Sequence, residues 1–161
     1  MQAKIAAIYI SPVAHWPMQW VPYARTIAGI GLEGDRYALD IGTYSGKPNR
    51  SNPKMCVRHV TFISARMIEL GNQKLDHRFV WEDTRRNVVI NGDIDPLSLI
   101  GKEFLFGSSR FRGFEDCTPC TIPSMISGKP EFEKAFKIYG GIRAEILTSG
   151  IIRLDDKLYV A

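Results

Sequence analysis

Residues that bind metals or form disulfides are scarce in this chain. It contains three cysteines and three histidines in 161 residues. A secreted disulfide scaffold usually has more cysteines, and an even number of them, so we expect reduced thiols in a cytosolic compartment. A structural zinc site needs about four ligands, and no two histidines have finger spacing, so structural zinc is not expected.

Long apolar runs and strong charge are missing as well. No segment approaches the roughly 18 apolar residues that a membrane helix requires. The N-terminal sequence lacks the apolar stretch and the small-residue cleavage site of a signal peptide. The net charge is +4, which suits an anionic ligand but is too small and too scattered to indicate nucleic-acid binding. We therefore expect a cytoplasmic protein that binds neither membranes nor nucleic acid.

Turn-forming residues, in contrast, are abundant. Fourteen glycines and nine prolines cut the chain into short pieces, a pattern that favours many short strands over a few long helices. No linker, internal repeat or low-complexity segment divides residues 1–161, so we expect a single domain. The predicted class is α+β and mainly β, a strand-rich distorted barrel with a few short helices.

Hydrophobic patterning and turn signals place the elements along the chain. Ser64 is expected to cap a short helix over residues 65–70 that Gly71 ends. Asp95 and Pro96 predict a further helical turn, and the C-terminal region predicts a hairpin of residues 142–147 and 151–154. Residues 42–53 form a long polar loop, and such loops are usually functional or disordered. The other predicted elements are strands over 4–10, 57–63, 86–90, 103–106, 111–114 and 158–160, and a short helix over 130–136.

A glycine-rich segment, residues 29–34, matches the G-x-G-x-x-G pattern of dinucleotide-binding proteins. That motif needs a helix that opens at the last glycine and an acidic residue about 20 positions further on. The residues that follow are poor helix formers, and no acidic residue lies at that distance. We therefore interpret the segment as a turn that feeds a strand, or as a turn that presents the charge pair Asp35 and Arg36 to a ligand.

Residues 84–87, Thr-Arg-Arg-Asn, precede an apolar strand. In a strand, Arg85 and Asn87 would share one face and Arg86 would point to the other. One guanidinium and one amide on a common face can clamp a phosphate or a carboxylate. The alternative is a solvated strand end with two surface arginines, which the spacing by itself favours.

The cysteine pair in the segment Cys117-Thr118-Pro119-Cys120 admits several interpretations. Zinc is disfavoured by the lack of partner ligands. A thioredoxin-like redox pair would lie early in the chain, at a helix N-terminus, whereas this pair lies late and the residues after it are weak helix starters. The remaining alternatives are a single thiolate ligand for a soft metal, with the other cysteine in support, and two small buried residues.

Five segments in order resemble the MOSC domain, named for the C-terminal domain of molybdenum cofactor sulfurase. Each is a weak signal alone, but five in the family's order are specific, and the compact length resembles the stand-alone bacterial type. The segments are GLEGDRYA (31–38), RHVTFI (58–63), TRRNVV (84–89), CTPC (117–120) and GGIRAEIL (140–147).

The resemblance implies a β-rich, barrel-like fold that binds the pterin-based molybdenum cofactor, molybdopterin. It implies that the second cysteine of the pair is the metal ligand and the catalytic residue, which falls on Cys120. The implied contacts to the cofactor fall on Arg36, Arg58, Arg85, Asn87 and Cys117.

The function expected from this resemblance is a molybdenum-dependent oxidoreductase that reduces N-hydroxylated small molecules, such as hydroxylaminopurines or amidoximes. No flavin or iron–sulfur motif is present, so a separate reductase is expected to supply the electrons. Two alternatives remain open. One is a sulfur carrier that delivers persulfide sulfur from Cys120 to another metal centre, and the other is a domain that keeps the fold without the cofactor.

Overall fold

The fold is known from a computed structural model that describes residues 1–161. It confirms the prediction of a mainly β protein, because eleven strands form two sheets and the helices are few and short. The strands are β1 (Lys4–Ile10), β2 (Gln19–Val21), β3 (Tyr23–Ile27), β4 (Gly31–Leu32), β5 (Val60–Ser64), β6 (Val88–Asn91), β7 (Glu103–Phe106), β8 (Ser109–Asp116), β9 (Ile142–Thr148), β10 (Gly150–Arg153) and β11 (Tyr159–Val160). The α-helices are α1 (Ala65–Asn72), α2 (Ile122–Ser127) and α3 (Phe132–Ala135), and two 3₁₀ turns cover Trp81–Thr84 and Pro96–Leu99.

The larger sheet has eight strands in the order β11-β7-β8-β9-β5-β6-β1-β2 and curls into a half-barrel. All of its neighbouring strands are antiparallel except β5 and β6, which are parallel. The smaller sheet has the order β10-β3-β4. None of the helices has the length and hydropathy that a membrane span requires.

Two hydrophobic cores form because neighbouring residues of a strand point to opposite faces of the sheet. In β6, Val88 and Ile90 belong to the larger core, while Val89 between them belongs to the smaller one. In β5, Phe62 and Ile63 are divided in the same way. The two apolar faces explain the uninterrupted apolar runs Phe62–Ile63 and Val88–Ile90 within these strands.

The parallel pair β5 and β6 is joined by a crossover that contains α1, as parallel strands require. Ser64 caps α1 as predicted, since its side chain accepts a hydrogen bond from the Met67 backbone N–H at 3.0 Å. The prediction that Gly71 ends the helix is wrong, because α1 continues to Asn72. A Cβ atom at Gly71 would lie 2.6 Å from the Phe136 ring. Glycine is therefore needed here for close packing.

The predicted C-terminal hairpin is also wrong. Strand β9 pairs with β5 and β8 in the larger sheet, while β10 pairs with β3 in the smaller sheet. The turn between them therefore carries the chain from one sheet to the other. The two strands are present at nearly the predicted residues, but their sequence does not reveal that β3, more than 120 residues earlier, offers a better partner.

Candidate functional site

One pocket collects all six residues predicted to form the site. It encloses about 60 Å³ between the loop after β4, the long loop of residues 42–53, and the ends of β5, β8 and β9. The predicted residues that line it are Arg36, Arg58, Arg85, Asn87, Cys117 and Cys120. Four further lining residues, which the sequence did not single out, are Tyr37, Thr43, Tyr44 and Arg143.

The charge pair predicted at the glycine-rich turn is confirmed. Arg36 Nη1 lies 3.0 Å from Asp35 Oδ1, and both side chains are buried. Asp35 Oδ1 also accepts a hydrogen bond from the Ser11 backbone N–H at 3.0 Å. The carboxylate thus fixes the turn to the end of β1 and holds the guanidinium of Arg36 at the pocket.

The arginines of the Thr84–Asn87 segment reach the site by a different route from the predicted one. The segment is not yet a strand, because β6 begins at Val88 and Arg85 has a left-handed backbone with φ of 60°. Strand alternation therefore does not decide which side chains share a face. Arg85, Arg86 and Asn87 all line the pocket, so the predicted division that sends Arg86 to the opposite face is wrong.

Arg85 and Arg86 differ in what they contact. Arg86 donates to the backbone carbonyls of Gly140 at 2.7 Å and Cys117 at 3.0 Å, and so supports the backbone of the cysteine segment. Arg85 donates to the carbonyl of Trp16 and has no carboxylate partner. Burial, together with the positive charge of Arg36, lowers the pKa of Arg85 to about 10. An anion that bound here would relieve both effects.

Most hydrogen-bonding groups of the Asn87 side-chain amide have partners within the protein. Its Oδ1 accepts hydrogen bonds from the Thr61 backbone N–H and hydroxyl, and its Nδ2 donates to the Tyr9 carbonyl at 3.1 Å. An asparagine amide has two N–H donors. One N–H therefore remains for a ligand, and the other contacts tie β1, β5 and β6 together.

The cysteine pair lies between β8 and α2. Cys117 is buried and Cys120 is partly exposed, and both are free thiols. Arg143 Nη2 lies 3.6 Å from Cys117 Sγ. A short helix, α2, begins at Ile122 although the residues after the pair are weak helix starters. The structure contains no group of three or more His, Cys, Asp or Glu side chains that could bind a metal.

A buried carboxylate, Glu115, connects the long loop to the pocket. Its Oε1 accepts from Asn49 Nδ2 at 2.7 Å and from Arg143 Nη1 at 2.9 Å, and its Oε2 accepts from the Ser51 backbone N–H at 2.9 Å. Arg58 Nη1 lies 3.9 Å away. Burial opposes ionisation, but these hydrogen bonds outweigh it and lower the pKa of Glu115 to about 2. The contacts join residues up to 66 positions apart, and so no local sequence signal could have identified Glu115.

Tyr44 is a second residue that the sequence did not single out, although it lies within the loop predicted to be functional or disordered. Its phenol lies beside Cys120 at the pocket wall. The neighbouring Cys120 sulfur, and then burial, raise the pKa of Tyr44 to about 12. The phenol thus stays protonated across the physiological range and can donate a hydrogen bond to a thiolate sulfur.

The pocket carries an excess of positive charge. Arg36, Arg58, Arg85, Arg86 and Arg143 line it, and the buried carboxylates that pair with these arginines are Asp35 and Glu115. Five guanidinium groups thus face two carboxylates. In addition, Arg58 Nε is buried without any hydrogen-bond partner. Such unsatisfied donors are uncommon in native proteins and favour an anionic ligand at the site.

Fold and pocket together define a β half-barrel that presents thiols and an excess of arginine to an anionic ligand. The chain matches the family model of the MOSC domain over residues 46–159 and belongs to this family. MOSC domains are associated with binding of the molybdenum cofactor.

Several solved structures share the fold. YuaD from Bacillus subtilis has a TM-score of 0.76 and 20% sequence identity, and the match covers 98% of this chain and 94% of YuaD. YiiM from Escherichia coli has a TM-score of 0.70 and 14% identity, with coverage of 100% and 70%. YiiM from Geobacillus stearothermophilus has a TM-score of 0.68 and 11% identity, with coverage of 99% and 75%. No curated protein matches the sequence significantly.

Proposed function

We propose that this protein binds a molybdenum cofactor through Cys120 and reduces N-hydroxylated compounds, such as hydroxylaminopurines or amidoximes. The observation that carries the proposal is the placement of a partly exposed cysteine thiol among five arginines in one pocket. Thiolate sulfur suits a soft metal centre, and an excess of guanidinium groups suits the anionic parts of a pterin cofactor.

Each of these pocket residues would make a different contact with such a cofactor. The Cys120 thiolate would bind the metal. Arg85 and Arg36 would bind the anionic groups, because Arg85 has no carboxylate partner and Arg36 has only Asp35. Arg58 would use its unsatisfied Nε, and Asn87 its remaining N–H. Cys117 would support the site as a second thiol, and its sulfur contacts Arg143.

The volume of the pocket adds a condition to this proposal. About 60 Å³ accommodates a few water molecules, which is far less than a pterin occupies. The pocket would therefore hold only part of such a cofactor. The loop of residues 42–53 closes one side of the pocket, where Thr43 contacts His15 and Arg50 contacts Thr118.

The cofactor, when bound, supplies the two-electron reduction of the N–O bond. The protein side chains position it, stabilise its charge and limit the access of water. The electrons would come from a separate reductase, and the substrate would be a small molecule. We place the protein in the cytoplasm and treat residues 1–161 as one domain.

The test is the molybdenum content and the reductase activity of the Cys120→Ser variant. Protein purified from a molybdate-supplied host is analysed for molybdenum and for pterin fluorescence, and N-reduction is assayed with a reduced viologen dye. We expect Cys120→Ser to lose both metal and activity and Cys56→Ser, in which the exposed cysteine is changed, to keep the metal. Full metal and full activity in Cys120→Ser would refute the proposal, and cyanide-releasable sulfur on Cys120 without N-reduction would favour a sulfur carrier.

A further inference from the structure

A second cavity adjoins the cysteine pocket. It encloses about 210 Å³ and shares the side chains of Tyr37 and Arg58 with the pocket as common walls. Ile30, Asp40 and His59 are among its other lining residues. The cysteine pocket itself is too small for an organic substrate beside a cofactor, whereas an apolar cavity of about 150 Å³ can bind benzene. The second cavity is therefore large enough for a one-ring or a compact two-ring group.

His59 provides a hydrogen-bond donor in this cavity. Its Nδ1 accepts a hydrogen bond from the Ile146 backbone N–H at 3.0 Å. Burial lowers the pKa of His59, so the ring is neutral at physiological pH. A neutral imidazole that accepts at Nδ1 carries its proton on Nε2. This Nε2–H has no partner in the protein and is not fully enclosed, so it can donate to a ligand.

Asp40 provides the complementary acceptor. Asp40 is exposed at the edge of the cavity, and its carboxylate has no hydrogen-bond or ion-pair partner in the protein. The residue has a left-handed backbone, with φ of 58°, and its backbone N–H donates to the Tyr37 carbonyl at 3.2 Å. The turn therefore holds a free carboxylate at the edge of a cavity that already contains a free N–H donor.

We propose that the second cavity binds the non-reacting part of the substrate, recognising a small flat nitrogen compound by its N–H groups and by a neighbouring acceptor nitrogen. The N–H groups of such a ligand donate to Asp40, and its acceptor nitrogen receives the His59 Nε2–H. Ile30, about half exposed, provides an apolar wall for the ring. The inference rests on the proposed function, since it places the reacting end of the substrate in the adjoining cysteine pocket.

The test measures binding of two probes to the purified protein by calorimetry or NMR titration. Adenine has a ring N–H and ring acceptors, whereas 9-methyladenine has the same ring and amino group without the ring N–H. We expect saturable adenine binding that Asp40→Asn weakens about tenfold, since the charge-assisted hydrogen bond is lost. Binding of 9-methyladenine should change less than twofold in the same variant.

His59→Asn is the second variant, because its amide oxygen can replace Nδ1 as the acceptor for Ile146 while the Nε2–H donor is removed. It should weaken the binding of adenine and of 9-methyladenine alike. Asp76→Asn, at an exposed position outside both cavities, is the matched control and should change neither affinity. Absence of saturable adenine binding, or unchanged affinity in both cavity variants, would overturn the proposal.

This test separates the cavity from the proposed reaction, because binding of the probes requires no turnover. Adenine binding with the expected variant pattern in a protein that lacks N-reductase activity would refute the proposed function and support the cavity. N-reductase activity on a hydroxylaminopurine with an unchanged KM in Asp40→Asn and His59→Asn would support the function and refute the cavity.

Discussion

Replacement of Glu115 by glutamine tests whether the buried carboxylate stabilises the site by its charge. The side chain is 4% exposed and contacts Asn49, Ser51 and Arg143 within 2.9 Å. Its pKa is lowered from 4.5 to about 2. One pKa unit corresponds to 1.36 kcal/mol, so the native contacts favour the ionised form by about 3 kcal/mol.

The glutamine variant should therefore be about 3 kcal/mol less stable at pH 7. For a domain of this size, a loss of that magnitude lowers Tm by about 6–12 °C. The contribution of a carboxylate whose pKa is depressed is present above its unfolded-state pKa and is lost as the pH falls through the folded-state pKa. The difference between wild type and variant should consequently shrink from about pH 5 downward and nearly vanish by about pH 2.

Urea unfolding at pH 7, 4 and 3, followed by circular dichroism, measures this difference. The matched control is Glu103→Gln, since Glu103 also contacts two arginines, Arg110 at 3.0 Å and Arg112 at 2.7 Å, but on an exposed surface. Ion pairs of that kind contribute little to stability, and the control should change far less. A loss below about 1 kcal/mol at pH 7, or a loss that is the same at pH 7 and pH 3, would refute the reasoning.

Three further outcomes follow from the same contacts. Gly71→Ala forces a Cβ atom against the Phe136 ring at 2.6 Å and should destabilise the protein by about 1–3 kcal/mol in thermal melts, and an unchanged Tm would contradict the packing argument. Arg85→Met removes a buried cation that has no carboxylate partner. The affinity for inorganic phosphate, measured by calorimetry, should therefore fall about tenfold. An unchanged affinity would show that the anion binds elsewhere. Asn49→Ala removes the contacts of a buried side chain with Val57 and Glu115. Trypsin should then cleave within residues 50–55 several times faster than in the wild type. An unchanged cleavage rate would show that other contacts hold the loop.

Predictions from the sequence succeeded where the deciding contact is local. Strand β1, Lys4–Ile10, and strand β7, Glu103–Phe106, have the predicted bounds. In β7, buried residues alternate with half-buried ones, as one apolar face of a strand requires. The Ser64 cap and the Asp35–Arg36 ion pair each join residues at most three positions apart. The ordered motifs added the family and, with it, the six residues that the structure places in one pocket.

Predictions failed where a distant partner decides the outcome. The exit of β10 into the second sheet depends on β3, and the glycine at position 71 is explained by Phe136 rather than by the end of α1. Glu115 has no motif around it, yet it orders the loop and two arginines of the pocket. Its position also depends on an irregular register between β8 and β9 at residues 113–115, and such bulges can redirect a side chain toward a site.

The contrast between Arg85 and Arg86 shows why correct site residues do not guarantee a correct explanation. Both arginines come from one motif and both line the pocket. Strand alternation predicted a shared face for Arg85 and Asn87, and the family resemblance placed both at the site. The segment is not a strand, however, and Arg85 has a left-handed backbone. Arg86 donates to two backbone carbonyls and stabilises the cysteine segment, while Arg85 keeps most of its donors for a ligand. Replacement of Arg86 should therefore lower the free energy of unfolding and displace the backbone at Cys117. Replacement of Arg85 should lower the affinity for anions and leave the fold intact.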